Sequence, residues 1–302
     1  MSSGPVALLA GAGLAWVWPQ ALEQILPPTD KIRVIRRLLQ SSIVLLGFSM
    51  DLSEVWQLGQ SGLGFAAGSI GATFLIGLAL GKCLGVERKL SLLIAAGTAI
   101  CGGSAIAAVG MAIMVGEADL AMALGVVFFL NGLALFIFPW VGQLLHLSQS
   151  QFGWWAGVAI HDVSSVVGAG MRYGPDALKT ATTVKLARSL WIIPVTLMAA
   201  AWSAKAIREE PWYRRIRWPW FIACFLLASL VRTVIPAVGY VTPGLLMVAK
   251  LGMVGVLFLV GNSLSLPALR RVGWRPLLLG GLLWGAISAG ALAMLWHMSA
   301  KG

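Results

Sequence analysis

The chain has 302 residues, 59% of them hydrophobic and 11% charged, and a formal net charge of +11. A soluble domain carries about 25% charged residues, so the composition excludes an ordinary soluble protein. The long continuous apolar runs also exclude a membrane barrel, whose strands alternate apolar and polar residues. What remains is an all-α polytopic membrane protein, in which loops rather than a nucleic-acid partner account for the basic excess.

About 20 apolar residues span the hydrocarbon, and the sequence predicts about ten such spans in a single domain, 1–302. The start, Met1-Ser2-Ser3-Gly4, lacks the basic stretch of a signal peptide. The run from Pro5 to Trp18 therefore reads as a retained span. Spans follow near 36–50 and 61–82. The fourth, near 91–114, is interrupted by Gly97-Thr98-Ala99-Ile100-Cys101-Gly102-Gly103-Ser104. The fifth, near 119–145, carries Asn131. The sixth, near 152–171, is interrupted by Gly157-Val158-Ala159-Ile160-His161-Asp162-Val163-Ser164-Ser165. The seventh, near 178–204, carries Lys185 and Arg188. The last three lie near 217–236, 245–264 (with Asn262) and 276–297. Lipid offers no partner to a free N–H or C=O, so the opened backbone of spans four and six must face protein or a water-filled cavity. Broken helices of this kind form midplane sites in secondary transporters.

Basic residues fix the sidedness. With the N-terminus outside, the cytoplasmic loops hold fifteen, from Lys31 and Arg33 through Arg88 and Lys89 to Arg270 and Arg275. The outer side holds only Arg172, Lys179 and Lys301. Both termini are then expected on the outer side. Trp16, Trp18, Trp140, Trp202, Trp218, Trp220, Trp274 and Trp296 sit at span ends as an interfacial belt. Glycine pairs at 64/68, 77/81 and 281/285 permit close helix packing, within the monomer or in a homodimer.

Two weak internal matches point to an inverted repeat, with approximate halves 1–146 and 152–302. At an offset of 214, Gly47, Ser49, Leu52 and Gly59 match Gly261, Ser263, Leu266 and Gly273. At an offset of 60, Gly97, Ala99, Ile100, Ser104 and Gly110 match Gly157, Ala159, Ile160, Ser164 and Gly170. The two offsets do not combine into one head-to-tail duplication.

Ionisable groups deep in a membrane cost roughly 2.5–3.5 kcal/mol each on insertion scales, which makes each a functional candidate. Lys185 and Arg188, spaced i, i+3, share one helical face. His161 and Asp162 lie in the interrupted sixth span. Two cations against one carboxylate leave a positive interior suited to an anion, and the arginine fork suits oxyanions. The broken helices add N–H groups and positive helix ends around Thr98, Cys101, Gly102, Gly103, Ser104, Ser164 and Ser165. His161 and Asp162 would couple proton movement. The structural alternatives are an Asp162 ion pair with Lys185 or Arg188 that merely satisfies a buried charge, and a snorkelling Lys185. Asn131 and Asn262 read as polar lining or as helix–helix glue. No HExxH, GxSxG or P-loop occurs, and His146, His161 and His297 are too scattered for a metal cluster. Cys83, Cys101 and Cys224 form no CxxC pair. The sequence thus predicts neither an enzyme nor a cofactor.

The segment Gly97 to Ala108 resembles the signature of the YeiH family of bacterial inner-membrane proteins, described as sulfate exporters. Further likeness comes from Ile43-Val44-Leu45-Leu46-Gly47-Phe48, Phe152 to Gly157, Ala159-Ile160-His161-Asp162, Val184-Lys185-Leu186-Ala187-Arg188 and Arg275 to Gly280. The family commonly has Glu at Asp162 and Ala at Gly103, and members often start with an additional span. The resemblance implies an inverted-repeat fold of the cation/proton antiporter and bile-acid symporter group, with unwound helices crossing near the midplane. It also implies export of a small anion across the inner membrane. The expected function is a secondary active transporter of sulfate or an organic sulfonate or carboxylate. The alternatives are a cation/proton antiporter and a non-transporting membrane sensor or scaffold.

Overall fold

The computed structural model describes residues 6, 7, 9–11, 13, 14, 28–48, 52–204, 220–263 and 273–299, which are helical apart from short turns. Most of the first predicted span, Trp218, Lys205 to Arg217, and Arg270 and Arg271 lie outside the described residues. The helices are α1 (Pro28–Gly47), α2 (Leu52–Leu84), α3 (Arg88–Ala99), α4 (Gly103–Ala112), α5 (Glu117–Leu144), α6 (Gln149–Ala159), α7 (Val163–Tyr173), α8 (Pro175–Ser189), α9 (Ile192–Ala204), α10 (Trp220–Val234), α11 (Thr242–Ser263) and α12 (Trp274–Ser299). Among the described residues, four stretches are long and apolar enough to cross a membrane: Ala66–Leu84, Ala118–Leu144, Thr242–Leu259 and Trp274–His297.

The two interrupted runs do break, and the break is sharper than the sequence suggests. They were expected to continue through the membrane as spans four and six and to cross. Instead each folds back on itself. In the first hairpin, a Cβ on Gly97 would lie 2.8 Å from Ile106 Cδ1, and one on Gly110 would lie 3.5 Å from Leu93 Cδ2. In a straight helix residues 93 and 110 would be about 25 Å apart. In the second hairpin, Phe152 stacks on Tyr173 with ring centroids 3.8 Å apart. The Tyr173 hydroxyl donates to the Leu147 carbonyl at 2.6 Å, and the Asp176 N–H donates to Gln149 Oε1 at 3.0 Å. The start of α6 is thus beside the end of α7. Each leg is 10–12 residues long, or about 15–18 Å, roughly half the hydrocarbon thickness.

Local sequence explains the turns. Gly102 has φ +67°, a conformation that costs a side-chain-bearing residue about 1–2 kcal/mol, and it ends the first hairpin's tip. Asp162 caps the N-terminus of α7 by accepting from the Ser164 N–H at 3.0 Å. At the base of the second hairpin, Ser148 and Gln151 form a capping box that starts α6. Pro175 opens α8 directly after Gly174.

The hairpins open at opposite ends of the bundle. The helix α5 starts near the base of the first and ends near the base of the second, where a Cβ on Gly142 would meet Phe152 and Tyr173. Parallel to α6 runs α8: Gly153 packs on Thr180 and Ala177, and Gly157 on Val184. The chain then kinks at Leu190 and Trp191 and continues in the same direction as α9, which brings Trp202 under the Arg88 guanidinium at 5.1 Å. Arg88 opens the first hairpin. The tips meet between the two ends, with a Cβ on Gly102 only 3.1 Å from Asp162 Cβ.

Antiparallel pairs flank this centre. A Cβ on Gly81 or Gly77 of α2 would touch Leu279 or Leu283 of α12. Ser42 of α1 packs against Gly252 of α11, and Thr242 Oγ1 donates to the Phe48 carbonyl at 3.4 Å. Both sequence offsets therefore join elements that run in opposite directions. The offset of 60 superposes tip Ile100–Gly102 on tip Ile160–Asp162, while the offset of 214 joins α1 to α11 and α2 to α12. Ser49 and Leu266, from the match at an offset of 214, lie outside the described residues. The Gly77/Gly81 pair packs inside the monomer, whereas Gly281 and Gly285 would meet nothing within 4 Å.

Apolar packing holds each hairpin separately. Leu93, Ile94, Ile106 and Val127 bury the first with Leu279 and Leu283. Phe152, Trp155, Val166 and Ala181 bury the second with Ala291 and Leu295. A third cluster packs Val163, Val167 and Leu186 on Ile43, Phe225 and Met253.

Candidate functional site

A helix end leaves carbonyls without intrahelical partners and concentrates about half a negative charge there. Each hairpin places such an end inside the protein. Arg188 Nη2 donates to the Ala99 carbonyl at the end of α3, and Nη1 donates to Ser69 Oγ of α2 at 2.7 Å. Lys185 Nζ donates to the Ile160 carbonyl just past the end of α6, at 2.6 Å. Both cations are fully buried. Their i, i+3 spacing on α8 puts one at each tip, so a single helix ties the two breaks together.

The carboxylate is engaged otherwise than the sequence allowed. The ion pair considered for Asp162 is not formed. Its Oδ2 accepts from the Ser164 N–H and hydroxyl, while its backbone N–H donates to Asn131 Oδ1 at 3.3 Å. The cations are occupied by backbone carbonyls, and the snorkelling expected as an alternative for Lys185 is absent, because its head points inward. Asn131 thereby positions the second tip. Its Nδ2 has no partner.

His161 is buried and diverges from Asp162. Its ring faces Trp284 of α12 with centroids 6.2 Å apart, and neither ring nitrogen has a hydrogen-bond partner. Thr98 is buried with an unpartnered hydroxyl. Cys101 is buried beside the Ala105 amide and Ser189. In the first turn of α7, Ser164 and Ser165 are buried. Gly103 and Asp162 are half-buried and Ser104 is exposed, so the first turn of α4 is the accessible part of the tips. Asn262 is not brought here. It lies near the end of α11 and donates to the Gly11 carbonyl at 3.4 Å, a helix–helix contact.

Three participants escaped the sequence reading. Ser69 receives Arg188, Trp284 faces His161, and Trp191 lies at the turn after α8 with a buried, unpartnered indole N–H. Ser69 and Thr73 look like ordinary small polar residues in an apolar helix. Each hydroxyl does bond back to its own helix backbone, at 3.2 and 2.6 Å. Only the fold shows that Ser69 also meets Arg188.

Residues 31–280 match the family model described as conserved hypothetical protein 698. A UPF0324 membrane protein of Bdellovibrio bacteriovorus is 44% identical over 274 residues, covering 89% of this chain and 84% of that protein. A UPF0324 membrane protein of Bacteroides thetaiotaomicron is 43% identical over 299 residues, covering 97% and 86%. The chain belongs to the UPF0324 (YeiH) membrane protein family. A third UPF0324 relative, from Photobacterium profundum, is 42% identical over 293 residues, covering 97% of this chain and 86% of its own length. No solved structure matches.

Proposed function

We propose that this UPF0324 protein is a secondary active transporter that binds a small anion between the two hairpin tips and exports it across the bacterial inner membrane. The observation that carries the proposal is the burial of Lys185 and Arg188 where two opposed hairpins meet. Charge balance supports it. Two helix C-termini and two helix N-termini roughly cancel at about half a charge each. Two cations and one carboxylate remain, a surplus of one positive charge that an anion would neutralise. The glycine-rich start of α4, with exposed Ser104, offers backbone N–H groups to that anion. Sulfate and organic sulfonates or carboxylates fit this chemistry, and the family resemblance favours sulfate.

The end of the bundle at which α2 finishes and α12 begins would face the cytoplasm, because the basic loops gather there. Both termini then lie on the outer side. The chain would form one transport domain with inverted halves, 1–146 and 152–302, each contributing one hairpin. Its kinship to the antiporter and symporter group rests on the family resemblance alone. Asp162, half-buried at the tip, is the group placed to carry a coupled proton.

The test is uptake of labelled sulfate, taurine and acetate into proteoliposomes, with and without proton or Na⁺ gradients. Wild type is expected to move at least one anion, and Arg188→Gln protein that still elutes as a folded species is expected to move it at least tenfold more slowly. Cation-driven proton flux without any anion flux would instead indicate a cation/proton antiporter.

A further inference from the structure

Beside the first hairpin, a cavity of about 370 Å³ lies between α2, α3, α4 and α9. Ile70, Phe74, Leu92, Val109, Trp191 and Trp202 line it, and its wall is almost wholly apolar. It runs along α9 from Trp191, level with the tips, to Trp202, at the base of the first hairpin. Those eleven residues rise about 16 Å, half the hydrocarbon thickness and so the depth of one lipid leaflet. At the shallow end the Arg88 guanidinium lies over the Trp202 ring at 5.1 Å. Arg88, Lys89 and Lys82 are all exposed there, with Glu87 the acid beside them.

The structure assigns this groove to an anionic phospholipid. One acyl chain fills the apolar groove between Trp202 and Trp191, and the phosphate rests on Arg88. The apolar wall alone would take any hydrocarbon. The excess of cations at one mouth selects the headgroup, because basic residues near a membrane surface attract anionic lipid by about 1 kcal/mol each, or roughly fivefold in affinity. Trp202 supplies the flat interfacial face on which the cation is held. The headgroup end of the groove, at Arg88 and Trp202, lies at the opposite end from Arg188, so the assignment does not rest on which anion, if any, is transported.

Native mass spectrometry of the full-length protein in detergent tests the assignment. Dioleoyl phosphatidylglycerol and dioleoyl phosphatidylcholine are added in turn, with glycerol phosphate as the headgroup lacking chains. Wild type is expected to retain phosphatidylglycerol about fivefold better than phosphatidylcholine and to retain no glycerol phosphate. Arg88→Gln removes the charge that lies over Trp202 and should reduce the preference, to which Lys82 and Lys89 still contribute, while leaving residual binding of both lipids. Ala199→Phe puts a ring into the groove and should weaken both lipids alike. Equal retention of the two lipids by wild type would overturn the assignment. So would an unchanged preference in Arg88→Gln, strong retention of glycerol phosphate, or a lipid-free dimer that Ala199→Phe dissociates. If Ala199→Phe fails to fold, the Arg88→Gln comparison still decides the question.

Discussion

At Gly102 one dihedral angle turns a helix into a hairpin. Its positive φ strains any residue with a Cβ, and the 3.1 Å approach to Asp162 leaves little room for one. Gly102→Ala is therefore expected to lower stability by about 1–2 kcal/mol, read by thermal unfolding in detergent. Arg188 serves two masters, the Ala99 carbonyl and Ser69. Arg188→Met leaves that carbonyl buried and unpaired, at a cost of about 1–3 kcal/mol. Arg188→Lys keeps the charge but loses the planar fork, so it should hold one partner and not both. An intermediate unfolding temperature for Arg188→Lys would support this division of labour, and one equal to wild type would refute it. The sequence revealed these cations and their shared face, because charge in an apolar run is conspicuous. It could not reveal what they touch. The sequence reading made them free to meet an anion or Asp162, whereas the fold gives both of them to carbonyls at broken helix ends. That assignment depends on where two segments sixty residues apart turn, which no local pattern encodes.

The helical elements show the same division. Continuous runs such as α5, α11 and α12 were legible from hydropathy, and the two interruptions were legible from their small and polar residues. Whether an interrupted run continues or reverses was not. A run of 24 apolar residues fits one span or two half-depth legs equally well by composition. The deciding contacts are tertiary: Phe152 on Tyr173 closes the base of the second hairpin, and Leu93 against Gly110 closes the first. Phe152→Ala is accordingly expected to cost about 3–5 kcal/mol. Tyr173→Phe keeps the ring and loses only the bond to the Leu147 carbonyl, so it should cost about 0.5–1.5 kcal/mol. Equal losses in an unfolding titration would mean that the stack is not what holds the legs together.

For the whole molecule, charge bias could not separate the two topologies. Turning spans four and six into hairpins reverses only the stretch between the two breaks, α4, α5 and α6, of which α5 alone crosses the whole membrane. The loops at its ends, 113–116 and 145–148, contain no Lys or Arg, so the positive-inside pattern is satisfied either way. The inverted arrangement follows from that reversal, since it aims the hairpins at each other from opposite ends. Everything proposed about an anion between Lys185 and Arg188 depends on that opposition. Sided labelling measures it directly. In protein with Cys83, Cys101 and Cys224 replaced by Ala, single cysteines are introduced at exposed Gly116 and Ser150 and treated with an impermeant maleimide in intact cells. Ser150→Cys is expected to react from outside, and Gly116→Cys only after the cells are opened. The reverse pattern would mean that both runs cross the membrane, and it would contradict the opposed hairpins and the site between them.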